Sequence, residues 1–103
     1  MFVAVLSSAG FKVIQAADGF VALETLKAQA IAAVVLDLHM PVLDGFALLD
    51  RLDDPPPVVV ATADYAYDDD VARRRDKVFA FVHKPVLPEL LVALVGKAVM
   101  AGQ

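Results

Sequence analysis

The stretch V-V-L-D-L-H-M-P-V-L-D-G, residues 34–45, decides the fold. It begins as an unbroken run of β-branched and leucine side chains and closes on one carboxylate, Asp37. Pro41 and the Asp44-Gly45 turn follow. An apolar run without alternation reads as a strand buried on both faces, the kind found in parallel sheets. Three further runs share this character: Lys12 to Ala17, Val58 to Ala63 and Val78 to His83, beside Ala32 to Leu38 around the first. Helical spacing separates them. Phe20, Leu23, Leu26 and Lys27 recur at i, i+3, i+6 and i+7. Phe46, Leu48, Leu49 and Leu52 mark a second helix, Tyr67 to Asp76 a weaker third and Leu87 to Ala101 a strong last one. Gly10, Asp18-Gly19, Asp44-Gly45, Pro55-Pro56-Pro57 and Pro85 punctuate the joints.

A helical fragment at Phe2 to Ser8 precedes all of these, so the order is (α)-β-α-β-α-β-α-β-α. Such alternation predicts an α/β fold, a doubly wound parallel sheet with helices on both faces. The 103 residues fit a single domain, 1–103. With 59% hydrophobic and 21% charged residues, intrinsic disorder is excluded. The net charge of −4 argues against nucleic acid or an anionic membrane as the main partner. The absence of cysteine removes disulfides and thiolate chemistry, and fits a reducing, cytoplasmic setting. No apolar run approaches the ~18 residues needed to span a bilayer. The run Asp68-Asp69-Asp70 reads as a helix start, where carboxylates meet the positive end of the dipole.

In open parallel sheets, ligands bind beyond the carboxyl ends of the strands. Here those ends carry Asp37, Thr62 and Lys84. Singly, each has a plain explanation: a helix cap, a satisfied turn hydroxyl, a solvated amine. Together, on consecutive strand ends, they form a chemical set. A carboxylate can attack phosphorus and form an acyl phosphate. An ammonium and a hydroxyl can neutralise and bind phosphoryl oxygens. A divalent cation would want at least one more carboxylate.

These motifs resemble the receiver domain of bacterial two-component response regulators. The resemblance rests on residues 34–45, on V-V-V-A-T-A at 58–63 and on F-A-F-V-H-K-P at 79–85. It extends upstream over S-S-A-G-F-K-V-I-Q-A-A-D-G, residues 7–19. It implies a flavodoxin-like sheet and phosphorelay signalling rather than enzymatic turnover, apart from self-phosphorylation and autodephosphorylation at Asp37. It makes Asp37 the phosphoacceptor, Thr62 the switch hydroxyl, Lys84 the phosphoryl-pairing lysine and Phe81 the aromatic switch residue. His39 and Asp64 fall where family members tune autodephosphorylation. Magnesium would be held by Asp37 and the His39 backbone carbonyl. The implied partner is a histidine kinase or small phosphodonor.

The departures set further expectations. In the family, a strand ending in an acidic pair precedes the first helix; here the sequence starts within that helix. Four strands are therefore expected, with a weakened magnesium site. The segment after Gly45 is short, and Arg75-Asp76-Lys77 replaces the usual glycine before the last strand. From Leu90 to Ala101 only Gly96 and Lys97 interrupt apolar residues, which predicts a homodimer through the last helix or through strand edges. Two other functions compete. One is a degenerate receiver serving as a dimerisation or protein-binding module without phosphorylation. The other is a small haloacid-dehalogenase-like phosphatase, disfavoured because His39 stands where that family wants a second aspartate.

Overall fold

The computed structural model describes residues 2–37, 45–63, 69 and 72–102. Its elements are α1 (Phe2–Ser8), α2 (Gly19–Ala28), β1 (Val34–Asp37), α3 (Gly45–Arg51), β2 (Val58–Thr62), a 3-10 turn (Arg75–Lys77), β3 (Ala80–His83) and α4 (Pro88–Ala101). The strands form one parallel sheet in the order β1-β2-β3. Val34 pairs with Val58 and Asp37 with Ala61; Val59 pairs with Ala80 and Thr62 with His83.

Every residue of β2 is buried, as its valine-rich sequence requires for a strand covered on both faces. On one face Leu36, Val58 and Val60 meet Leu48, Leu49 and Leu52, with Leu23 and Leu26 of α2 against them. On the other, Leu6 of α1 joins Leu91 and Val95 of α4, with Phe11, Val13 and Val35 packed against them. Two layers of helix thus sandwich the sheet. Leu91, Val95 and Ala98 line the buried stripe of α4 at i, i+4 and i+7. Pro88 opens that helix, at a position where its missing N–H removes no hydrogen bond.

The helix ends follow local chemistry. The Asp18 carboxylate accepts from the N–H groups of Phe20 and Val21 at 2.9 and 3.0 Å, which fixes the start of α2. At the end of α1, Gly10 N–H donates to the Ser7 carbonyl and Phe11 N–H to the Leu6 carbonyl. This paired closure puts its turning residue in the left-handed region, and Gly10 has φ 96°. Phe11 then folds back onto the cluster around Leu6.

The expected fourth strand is a correction: Lys12 to Ala17 forms no ladder among the described residues. Nor do the side chains alternate as in a strand: Val13 and Ala16 are half-buried, three residues apart, while Lys12, Ile14, Gln15 and Ala17 are exposed. A neighbouring strand to receive the backbone bonds of this segment is not found among the described residues. The expected helix from Tyr67 to Asp76 is seen only in part. Arg73 N–H bonds the Asp69 carbonyl, the 3-10 turn closes at Lys77, and the rest of that span lies outside the described residues.

This segment is clasped to α3. Arg74 donates to both carboxylate oxygens of Asp50, at 2.8 and 3.0 Å, and its guanidinium lies 4.7 Å from the centre of the Phe46 ring. Lys77 Nζ donates to the Leu49 carbonyl at 3.0 Å. The Arg74 hydrogen bond holds the Asp50 carboxyl below its ordinary value of 3.8, helped by the charges of Arg74 and Lys77 and opposed by slight desolvation.

Two outcomes follow from these local features. Gly10→Ala should destabilise the fold by ~1–2 kcal/mol in urea unfolding, because a Cβ is strained at that backbone angle. Arg74→Gln should reduce stability at neutral pH by no more than ~1 kcal/mol, given the exposure of Asp50. The lowered folded pKa means this contribution is present above the ordinary aspartate value and is lost as pH falls through the folded value. Urea curves of the two proteins should therefore converge under strongly acidic conditions and separate near neutrality.

Candidate phosphoryl-acceptor site

The parallel register brings three strand ends to one rim. Asp37 closes β1, Thr62 closes β2, and Lys84 follows the last residue of β3. Lys84 is tied at both ends. Its backbone N–H donates to the Thr62 carbonyl at 2.8 Å, and its Nζ reaches Asp37 Oδ2 at 2.6 Å. The side chain therefore crosses above the middle strand, a span of two inter-strand spacings or ~10 Å between backbones. Ala61, whose side chain is only a methyl group, lies between Asp37 and Val82 in the register beneath that span.

The pair is partly open to water, with the Lys84 and Asp37 side chains 29% and 39% exposed. A pair so placed adds little to stability, but it can be separated and re-formed at small expense. Thr62 is completely buried. Phe81 stands two residues before His83 on the same strand face, half-buried, its ring 4.9 Å from the imidazole in an edge-to-face arrangement. It packs against the cluster under α2 and α3. The structure thus brings Asp37, Thr62 and Lys84 together and sets Phe81 one strand turn below them. His39 and Asp64, the expected tuning positions, lie outside the described residues, as does the His39 carbonyl expected to bind metal.

One neighbour of the site had no sequence signal. Lys84 Nζ lies 5.4 Å from the centre of the Phe2 ring, so the face of an aromatic from α1 borders the ammonium. In the sequence, Phe2 is simply one of several apolar residues on a helical stripe. Only the packing of α1 beside α4 reveals which end of the sheet it reaches.

The metal question has a direct answer for the described residues. No three histidine, aspartate or glutamate side chains gather into a group able to hold an ion. At Asp37, one oxygen already faces the Lys84 ammonium. Octahedral magnesium needs more oxygen ligands than this arrangement supplies.

Comparison with known proteins agrees with this architecture. Residues 1–96 match the family described as the response regulator receiver domain. The transcriptional regulatory protein GlrR of Escherichia coli K12 is 32% identical over 96 residues, which cover 90% of this chain and 22% of that protein. The chain thus spans about a fifth of the length of that curated relative. The crystal structure of the receiver domain of NtrX from Brucella abortus superposes with a TM-score of 0.84 at 28% identity, covering 96% of this chain and 87% of that one. The receiver domain of sensor histidine kinase PA1611 from Pseudomonas aeruginosa PAO1 superposes at 0.80 with 25% identity, covering 95% and 84%. That structure has a magnesium ion coordinated in its active-site cleft. Receiver domains bind magnesium and are in general signalling domains rather than enzymes; the described residues of this chain do not by themselves fit the metal. On these grounds the chain belongs to the response regulator receiver domain family, a flavodoxin-like α/β fold that serves phosphorelay signalling in two-component systems.

Proposed function

We propose that Asp37 accepts a phosphoryl group from a histidine kinase or a small phosphodonor, and that the acyl phosphate changes an interaction face through Thr62 and Phe81. The observation that carries this reading is the 2.6 Å pair of Lys84 Nζ and Asp37 Oδ2 at the carboxyl rim of the sheet. A carboxylate oxygen of Asp37 attacks phosphorus, and the bond from phosphorus to the donor breaks with its electron pair leaving on the donor. The charge that develops on the phosphoryl oxygens calls for nearby cations. Lys84 needs only to turn from Oδ2 toward a phosphoryl oxygen, its backbone remaining fixed to Thr62. The Thr62 hydroxyl, one strand over, is the next donor at the rim. Its movement toward the phosphoryl group would vacate space into which the half-buried Phe81 ring turns, a local change that biases a surface.

Incubation with acetyl phosphate and excess magnesium should add one phosphoryl group per chain by intact mass. Asp37→Asn should abolish the increment, and Lys84→Met should slow it by at least ~10-fold, as expected for loss of a charge facing the transferring group. Retention of the increment in Asp37→Asn would remove Asp37 from the role. Its absence from the unaltered chain would favour the second reading.

That second reading is a phosphorylation-independent binding module. It is supported by the lack of a metal-holding group among the described residues and by the outer side of α4. There Leu90 is 46% exposed and Met100 75%, and Leu87 just ahead of the helix is 69% exposed. A surface helix ordinarily turns a polar face outward. We infer a homodimer through this face, common to both readings. Sedimentation should show self-association that Leu90→Glu with Met100→Glu weakens by ~10-fold or more, through burial of charge at the contact. A strictly monomeric chain would contradict it.

A further inference from the structure

We propose that a cleft at the amino-terminal end of the sheet docks an arginine side chain presented by a partner polypeptide. The three strands are parallel, so their starts at Val34, Val58 and Ala80 gather at the end opposite Asp37. A cleft of about 870 Å³ opens there. Its walls come from the segments leading into each strand and from the last turn of α4. Asp37, Thr62 and Lys84 take no part in it.

These walls are anchored. Val34 N–H donates to the Pro57 carbonyl at 2.9 Å, and Phe79 N–H to the Val58 carbonyl at 2.8 Å. On the helix side the fit is tight: a Cβ at Gly102 would stand 3.2 Å from Pro57 Cδ and 3.4 Å from the Ala32 carbonyl oxygen. The cleft is thus shaped before a ligand arrives, which lowers the ordering cost of binding.

The chemistry of the occupant follows from the lining. Asp54 and Asp76 are both exposed, and neither has an ion-pair or hydrogen-bond partner among the described residues. Lys77, the cation in the lining, already donates from Nζ to the Leu49 carbonyl at 3.0 Å. Pro55, Pro56 and Pro57 have no N–H, so that wall offers acceptors and apolar rings but no backbone donor. The Phe79 ring, 42% exposed, adds an accessible aromatic surface. Carboxylates, carbonyls and an aromatic ring together call for a flat cation with several N–H groups. A guanidinium donates in a fork to carboxylates, stacks on aromatic rings and stays charged. An ammonium, a compact and strongly hydrated point charge, matches the rings less well. The fold already holds one guanidinium by the same pair of groups: Arg74 donates to Asp50 at 2.8 and 3.0 Å and lies 4.7 Å from the centre of the Phe46 ring. The net charge of −4 also favours the approach of a basic partner.

The shape selects a polypeptide over a free guanidine. Asp54, Asp76, Phe79 and Gly102 are all exposed, so the cleft is an open trough. Small-molecule sites bury most of their ligand's surface, which an open trough does not do. Val78 and Val99 add apolar lining that side chains flanking an arginine would cover. Arginine and aromatic residues are enriched together at protein interfaces.

The experiment titrates the whole 103-residue chain with acetyl-Leu-Arg-Leu-amide and follows the amide signals of Asp54, Asp76 and Phe79. These should shift saturably. The citrulline and lysine versions of the peptide, and agmatine, should each bind at least ~10-fold more weakly, through loss of the charge, the planar fork or the flanking contacts. Phe79→Leu should weaken binding by at least ~10-fold, and so should Asp54→Asn combined with Asp76→Asn. Asparagine suits the left-handed backbone of Asp54, where φ is 52°. All three side chains are exposed, so the urea midpoint should not move; the citrulline peptide makes the same test without altering the protein. No saturable shift at several millimolar peptide would overturn the proposal. So would equal binding of the citrulline peptide, which would indicate apolar adhesion, of the lysine peptide, which would indicate charge alone, or of agmatine, which would indicate a small-molecule site. Cleft signals that move with protein concentration alone would assign the surface to a second copy of this chain and overturn it as well.

Discussion

A strand buried on both sides along its whole length cannot exist alone. Each of the five residues of β2, Val58 to Thr62, is buried, so both faces must be roofed and both edges paired. The roofing places α2 and α3 on one face and α1 and α4 on the other. The pairing places β1 and β3 on either side, parallel, with their carboxyl ends level. The site is a consequence of that constraint. Asp37 and Lys84 come from opposite neighbours of β2, and they meet only because the middle strand ends in residues small enough to be bridged. The Lys84 backbone bond to Thr62 fixes the height at which its amine crosses.

Much of this was legible in the amino-acid order. Unbroken valine runs separated by helical spacing indicate a parallel layered sheet, and the residue ending each run names the rim. Asp37, Thr62 and Lys84 were readable because topology alone sends strand ends to one place. The stretch from Lys12 to Ala17 marks the limit. Its composition is strand-like, but only Val13 and Ala16 are half-buried, and strand formation belongs to a pair of segments, not to one. Composition reports what a segment could pair with and is silent on whether a partner lies beside it. Phe2 and Arg74 were illegible for a related reason. A helix position near the start of the chain and the middle arginine of the run Arg73-Arg74-Arg75 carry no mark of what they touch. Their contacts with Lys84, and with Asp50 and Phe46, arise from how helices pack on the sheet.

At the carboxyl rim, polar groups are matched to one another: the lysine has its carboxylate, the buried threonine its place in the ladder. Such a rim is suited to a charged group that arrives and leaves, because a half-exposed ion pair is easily exchanged for another. The apolar residues before Asp37 on β1 are held by the two helical layers, so the carboxylate that ends the strand stands on a fixed base.

The central claim concerns which oxygen receives phosphorus, and chemical trapping addresses it most directly. Borohydride reduces an acyl phosphate to the corresponding alcohol, converting the modified aspartate to homoserine. After exposure to phosphoramidate, whose phosphorus–nitrogen bond matches that of a phosphohistidine, peptide mapping should find homoserine at position 37. Homoserine at another aspartate, or none after phosphoryl incorporation has been established, would contradict the account.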